Sequence, residues 1–254
     1  MSIEAKGMGT TSYVSISLAT ALERSLDLAA HNMANASTAG YKAQHPLLEA
    51  VDPSNSGDET QAVSFVRDNG IYVDLTQGAL VQTGNSLDIA VTGQGWLGYQ
   101  TEDGQTAYGR DGRLSVDADG QLVNLAGNPV VDEGGAPINI PQDVAHLVQI
   151  AQDGTLTDQN GGTLGRIGLF NVPSFASASP LGNGLFLPHP GAAAPTPVEN
   201  AQFAQGFIEQ SNVKPVVEMI HLMDIQRAYE RATHLMTDEN ELTKQAIQRL
   251  GRVV

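Results

Sequence analysis

Residues 211–250 read SNVKPVVEMIHLMDIQRAYERATHLMTDENELTKQAIQRL, with no glycine and a single proline, Pro215. A proline there falls in the first turn of a helix, where a missing N–H costs little because the leading donors have no intrahelical partner. Asn212 is the expected cap. Leu222, Ile225, Tyr229, Ala232 and Met236 then recur at spacings of three and four, and Leu242, Ala246 and Leu250 resume the stripe after a polar break at Glu239. The pattern predicts one amphipathic helix of about 38 residues, roughly 57 Å long at 1.5 Å per residue. Its apolar seam is coiled-coil-like and needs a partner.

The partner is expected at the opposite end of the chain. Residues 12–36 lack glycine and proline and place Leu18, Leu22, Leu26, Ala29, Met33 and Ala36 on one face, with Glu23, Arg24 and Asp27 on the other. Thr11 or Ser12 can cap this helix, and Asn35, Ser37, Thr38 and Gly40 provide the stop chemistry. The two longest helical segments therefore lie at the termini.

Between them the period changes. Residues 41–58 are punctuated by Pro, Ser and Gly and read as an extended linker. SFVRDNGIYVDL, residues 64–75, alternates about Asp68-Asn69-Gly70, a hairpin signal. Strand-like runs follow at 87–92, 96–100, 113–116, 121–125, 144–151 and 164–172, separated by glycines. No helical crossover fits between them, so the sheet is expected to be antiparallel. Residues 176–197, rich in Ala, Ser, Gly and Pro, lead back to the last helix. The expected fold is α+β and elongated: paired long N- and C-terminal helices, coiled-coil-like, with an extended linker and a central antiparallel β domain. The boundaries are 1–41 for the N-terminal helix, 42–75 for the linker, 76–205 for the β domain and 206–254 for the C-terminal helix.

Charge and composition narrow the function. The net charge is −15, and residues 51–205 carry most of it, with 17 acidic against 4 basic side chains. An acidic middle argues against nucleic acid, which requires a basic footprint. Both terminal segments are close to neutral, which lets them pack densely. There is no cysteine, so thiolate nucleophiles, disulfides and Cys-based metal sites are excluded. No apolar run approaches the roughly 20 residues of a membrane span, and MSIEAKGMGTT lacks the pattern of a cleaved signal.

The search for chemistry returns bland readings. Gly93-Gln-Gly95-Trp-Leu-Gly98 matches the letter of the dinucleotide fingerprint, but residues 96–100 have strand character, whereas the fingerprint needs a helix N-terminus at the pyrophosphate. Asp117-Ala-Asp119-Gly120 matches half of a calcium loop without its closing Glu and reads as a hairpin turn. The histidines at 31, 45, 146, 189, 221 and 234 show no paired spacing. Arg227 with Glu230, and Glu241 with Lys244, read as ordinary helix pairs. No catalytic residue, cofactor site or metal site is expected.

Four blocks together resemble the bacterial flagellar rod and hook proteins: HNMANASTAGYK (31–42), LDIAVTGQGWL (87–97), TAYGRDGRLSVDADGQLVNLAGNPV (106–130) and QSNVKPVVEMIHLMDIQRAYE (210–230). They occur in that family's order. His31 departs from it, since the family commonly has Asn there, and residues 176–197 match no part of it. Length and the ending at 248–253 resemble the proximal-rod member, with the distal-rod member as the alternative.

The resemblance implies a structural subunit, not an enzyme. Its helices would line the inner layer of a helical tube, and its β domain would lie outside. Partners would be copies of itself, other rod proteins and the flagellar export apparatus, with no small-molecule substrate, nucleic acid or membrane insertion. The location would be the periplasmic rod of the basal body, reached without a cleaved signal; lack of cysteine suits a chain crossing redox compartments. The implied assembly interface comprises Leu18, Leu22, Leu26, Met33, Asn35, Thr38, Gly40, Asn212, Val213, Met219, Leu222, Ile225, Gln226, Arg227, Tyr229, Ala232, Met236 and Leu242. Two other classes compete. A secreted enzyme or adhesin would need a polar constellation in a pocket, and a two-helix adaptor would not explain an acidic β insert between the helices.

Overall fold

The computed structural model describes residues 4–51 and 65–251, which divide into two compact units. The first is built from helix α1 (Glu4–Ala34), strands β1 (Gln44–Val51) and β2 (Phe65–Val73), and helix α2 (Pro215–Leu250). Helix α1 starts at Glu4, upstream of the expected start, so Thr11 and Ser12 lie inside it. It runs through Gly7 and Gly9, each about 1 kcal/mol poorer than alanine, because propagation adds a hydrogen bond for every residue fixed. It stops at Ala34, two residues short of the expected end.

Inside this unit the packed face of α1 is turned from the expected stripe. Ser15, Ala21, Leu28, Ala29 and Asn32 are buried, while Leu18 is 38% exposed. Asn32 fixes the rotation: its Nδ2 donates to the Gln44 carbonyl and its Oδ1 accepts from the Gln44 N–H, both at 2.9 Å. Arg24 adds an ion pair to Asp68 at 2.7 Å.

Strands β1 and β2 form a two-stranded sheet. The hairpin expected at Asp68-Asn69-Gly70 does not form, since β2 runs straight through it with Gly70 at φ 112°. A partner strand 18 residues upstream captures the segment: Glu49 Oε2 accepts from Arg67 at 2.8 Å and from Asn69 at 2.7 Å. Part of the expected linker is thus a strand, and residues 52–58 of it lie outside the described residues.

The second unit comprises residues 34–43 and 73–213. It holds β3 (Leu80–Gln82), β4 (Ile89–Val91), β5 (Trp96–Gln100), β6 (Thr106–Gly109), β7 (Leu114–Val116), β8 (Leu122–Asn124), β9 (Gln149–Ile150), β10 (Thr155–Thr157), β11 (Thr163–Arg166), β12 (Leu169–Asn171), β13 (Ser179–Gly182), β14 (Leu185–Leu187), β15 (Thr196–Pro197), β16 (Phe203–Gln205) and β17 (Phe207–Glu209). Six strands form one sheet in the order β13-β14-β6-β5-β12-β15, antiparallel throughout. The segment 176–197, read as a lead-back, supplies three of them. From β5 and β12, Leu97, Tyr99 and Leu169 are buried in one cluster with Leu122, Ile140, Leu156 and Ile167. A second cluster stacks Trp96 on Phe175, centroids 3.5 Å apart, with Phe170 and Phe186 beside them.

One five-residue turn builds four of the connections. In Asp117–Gln121, Asn124–Asn128, Asp132–Ala136 and Asp158–Gly162 the first side chain accepts from the backbone N–H groups two and four residues on. The fourth residue is in every case a glycine at φ between 79° and 84°. Local capture of the backbone by Asx, followed by a left-handed residue, is the physical content of this signal. Asp117-Ala-Asp119-Gly120 is accordingly the hairpin between β7 and β8. Gly93-Gln-Gly95 leads directly into β5 rather than into a helix, and Gly95 backs onto the Leu169 side chain.

Candidate assembly interface

The expected interface residues fall in both units. In the second, Gly40, Asn212 and Val213 belong to a junction where the two ends of that unit's chain meet. Gly40 sits at φ 68°, and a Cβ there would lie 2.2 Å from the Asp111 nitrogen. Its N–H donates to the Glu209 carbonyl at 2.7 Å, and the Asn212 N–H donates to the Tyr41 carbonyl at 3.3 Å. Asn35 accepts from the Thr38 N–H and hydroxyl at 3.1 and 3.2 Å, which closes the turn after α1.

Asn212 is not the cap of α2. Its Oδ1 accepts from the Ala43 N–H at 2.8 Å, and its Nδ2 donates to the Asp74 and Thr76 carbonyls at 3.0 and 3.1 Å. The cap position is Lys214, with no side-chain bond. Competing backbone groups across the junction outbid the helix for the amide. Val213 packs with Tyr41 and Ala43.

At the centre of the junction lies a buried ionic cluster. Glu209, fully buried, accepts from Lys42 Nζ at 2.6 Å, from Arg110 at 3.1 Å and from the Gly78 N–H at 2.9 Å. Remaining donors are directed at carbonyls: Lys42 to Thr76, Arg110 to Val91 and Gly93. Of the cluster's donors, Arg110 Nε has no acceptor among the described residues. Burial pushes the Lys42 ammonium below its ordinary value against the pull of Glu209, and does the same to Arg110. Both cations face Trp96, 5.9 and 5.1 Å from its ring centroid, where the negative face of the indole helps to compensate them.

In the first unit, the stripe Leu222, Ile225, Tyr229, Ala232 and Met236 is the half-buried to buried face of α2. It continues through Glu239, Thr243 and Ala246; Leu242 lies about 240° round from Met236 at 100° per residue and is 62% exposed. The Leu250 side chain lies outside the described residues. Leu22, Leu26 and Met33 of α1 are partly covered, and Gln226 is exposed. Arg227 pairs with Asp224 at 3.9 Å and not with Glu230, and both partners are mostly solvated. No Glu241–Lys244 pair forms among the described residues. A second apolar surface covers the opening turns of α2: Val216, 72% exposed, with Val217, Met219, Ile220 and Met223. Apolar side chains grouped in this way are uncommon on the surfaces of monomeric proteins. Among the described residues no helix is long and apolar enough to cross a membrane, and no group of acidic and histidine side chains is arranged to hold a metal.

Comparison with known proteins matches a central segment and the C-terminal region of the chain. Residues 90–158 fit the family model of the flagellar hook protein FlgE/F/G D1 domain, and residues 204–249 fit that of the flagellar basal body rod FlgEFG protein C-terminal region. The chain is 37% identical over 248 residues to the flagellar basal-body rod protein FlgF of Caulobacter vibrioides, covering 97% of this chain and 100% of that one. It is 38% identical over 243 residues to FlgF of Mesorhizobium japonicum, covering 94% and 97%. This chain belongs to the flagellar basal-body rod protein family. FlgG of Agrobacterium fabrum is more distant, at 32% identity over 246 residues, covering 87% and 92%.

Within this rod-family chain, residues 176–197 lie outside both matched segments. Sequence reasoning missed Arg110, Glu209 and Trp96, and gave Lys42 no role. The available signal was the single Trp beside a run of glycines, together with charged residues in otherwise apolar strands.

Proposed function

We propose that this chain is a structural subunit of the flagellar basal-body rod occupying the FlgF position, polymerising into the shaft that carries motor torque to the hook. The observation that carries the reading is the apolar surface of α2. One face of a 36-residue helix is already covered within its unit, yet Val216, Met219, Ile220 and Met223 stand exposed on others. Contacts with neighbouring subunits would remove that surface from water at about 25 cal/mol per Å². Near full-length similarity to FlgF at 37 and 38% identity, against 32% for FlgG, favours the FlgF position.

The finer features belong to the same proposal. The terminal helices pair as a coiled-coil-like layer lining the shaft, and the interface is drawn from the residues of the two helices and the junction. Residues 76–205 form the outer β domain, and export occurs through the flagellar secretion apparatus without a cleaved signal. The test is a functional tagged chain expressed from its own locus. It should co-purify with isolated basal bodies, and deletion should abolish swimming; basal bodies without the tagged chain would refute the reading.

A further inference from the structure

A cleft of about 180 Å³ in the first unit opens between the end of α1, the start of β1 and the first turns of α2. Its lining includes Leu28, Ala29 and Ile225, with Asn32 and His45 at its polar side and Glu218 from α2. Glu218 is only 6% exposed. Among the described residues no N–H or O–H donates to its carboxylate and no cation pairs with it. A carboxylate held in a cleft without a counter-charge is open to a hydrogen-bonded cation. Apolar walls leading to a carboxylate match a long basic side chain, whose methylene stem packs while its charged head pairs.

We infer that the cleft receives Arg249 from the terminal helix of a second copy of this chain. This rests on the assembly reading above and specifies one of its contacts. Beyond Glu241 every charged side chain of the sequence is basic: Lys244, Arg249 and Arg252. Arg249 is exposed and has no ion pair among the described residues. Arg227 is held by Asp224 at 3.9 Å; Arg231 and Lys244, like Arg249, form no ion pair among the described residues, and Arg249 is the basic residue of the last turn of α2. Within one helix, residues 218 and 249 are 31 positions apart, roughly 46 Å at 1.5 Å per residue, so no chain fills its own cleft. An acidic cleft at one end and a basic turn at the other give unlike, head-to-tail patches, the class of contact that propagates as an open filament.

Absence of native cysteine makes the test direct. Glu218→Cys and Arg249→Cys are combined in the full-length chain, basal bodies are isolated, and mild oxidant is applied. Cross-linked dimers and longer ladders are expected from the double variant, well beyond either single variant. Monomer alone, in basal bodies that contain the double variant, overturns the contact. Where cysteine at 218 blocks incorporation, exchange of charges decides: Glu218→Arg should abolish swimming and added Arg249→Glu should restore at least a tenth of the wild-type swim-ring expansion. No restoration overturns the inference. Failure of the tagged wild-type chain to reach basal bodies refutes the rod assignment itself, so the two failures are distinguishable.

Discussion

Replacing Glu209 by Gln removes the single negative charge shared by two buried cations. The substituted amide retains one acceptor, but its NH₂ faces the donors of Lys42 or Arg110, which approach Glu209 at 2.6 and 3.1 Å. Breaking a buried pair from one side costs about 3–5 kcal/mol, since the remaining charge stays buried. For a unit of this size each kcal/mol shifts the melting temperature by about 2–4 °C, so a drop of about 6–20 °C is expected. Trp96 is the only tryptophan and touches both cations, so its fluorescence reports the site during thermal unfolding. Combining Glu209→Gln with Lys42→Met should destabilise by at least about 1 kcal/mol less than the sum of the single changes, because neighbours in one network are not additive. A melting temperature within about 3 °C of wild type for Glu209→Gln, with unchanged Trp96 emission, would refute the account of the junction.

Lys42 also sets a pH dependence. Its folded value lies below the ordinary 10.5, so in the window between them the unfolded chain binds more protons, and its contribution raises stability as pH increases. Denaturant titrations across that window should show this rise in wild type and its loss in Lys42→Met. Gly40→Ala forces a Cβ to 2.2 Å from the Asp111 nitrogen at positive φ; the conformation alone costs about 1–2 kcal/mol and the backbone must move as well. A melting temperature within about 1 °C of wild type would contradict that geometry. Ile225→Asp places a charge at the half-buried wall of the α2 cleft and should cost several kcal/mol and abolish swimming, so normal motility would remove Ile225 from the interface. In dilute monomer, amide exchange at residues 12–36 and 213–250 should be much faster than in β5, β6 and β12, since an amphipathic helix holds its order by burial; equal protection would exclude ordering on assembly.

The α2 stripe was legible because a 3.6-residue period survives in Leu222, Ile225, Tyr229, Ala232 and Met236 whatever the helix packs against. It failed at Leu242, where apolar identity was followed in place of phase. In helix α1 the expected stripe held Ala29, which is buried, but the leucines outweighed Ser15 and Ala21 by eye. The turns could be read from five residues because their hydrogen bonds are local. Asp68-Asn69-Gly70 carried the same chemistry, but a distant strand, β1, captured it. Lys42, Arg110 and Glu209 could not be found from spacing, since Glu209 lies 167 and 99 residues from its two partners. Only the packed sheets, with β16 on β4 and β17 on β3, bring them together.

That junction also sets the path of mechanical force. Tension applied to the second unit between Tyr41 and Val213 meets the Asn212–Tyr41 and Gly40–Glu209 backbone bonds, then the Lys42–Glu209 pair, before it reaches any strand of the six-stranded sheet. Residues 73–205 are thus wired in parallel to a short circuit, not in series with the pull. A sheet attached in this way bears little stretch while its clamp holds. Its turns and outer strands, such as the hairpin and edge strand within residues 179–197, lie off that path.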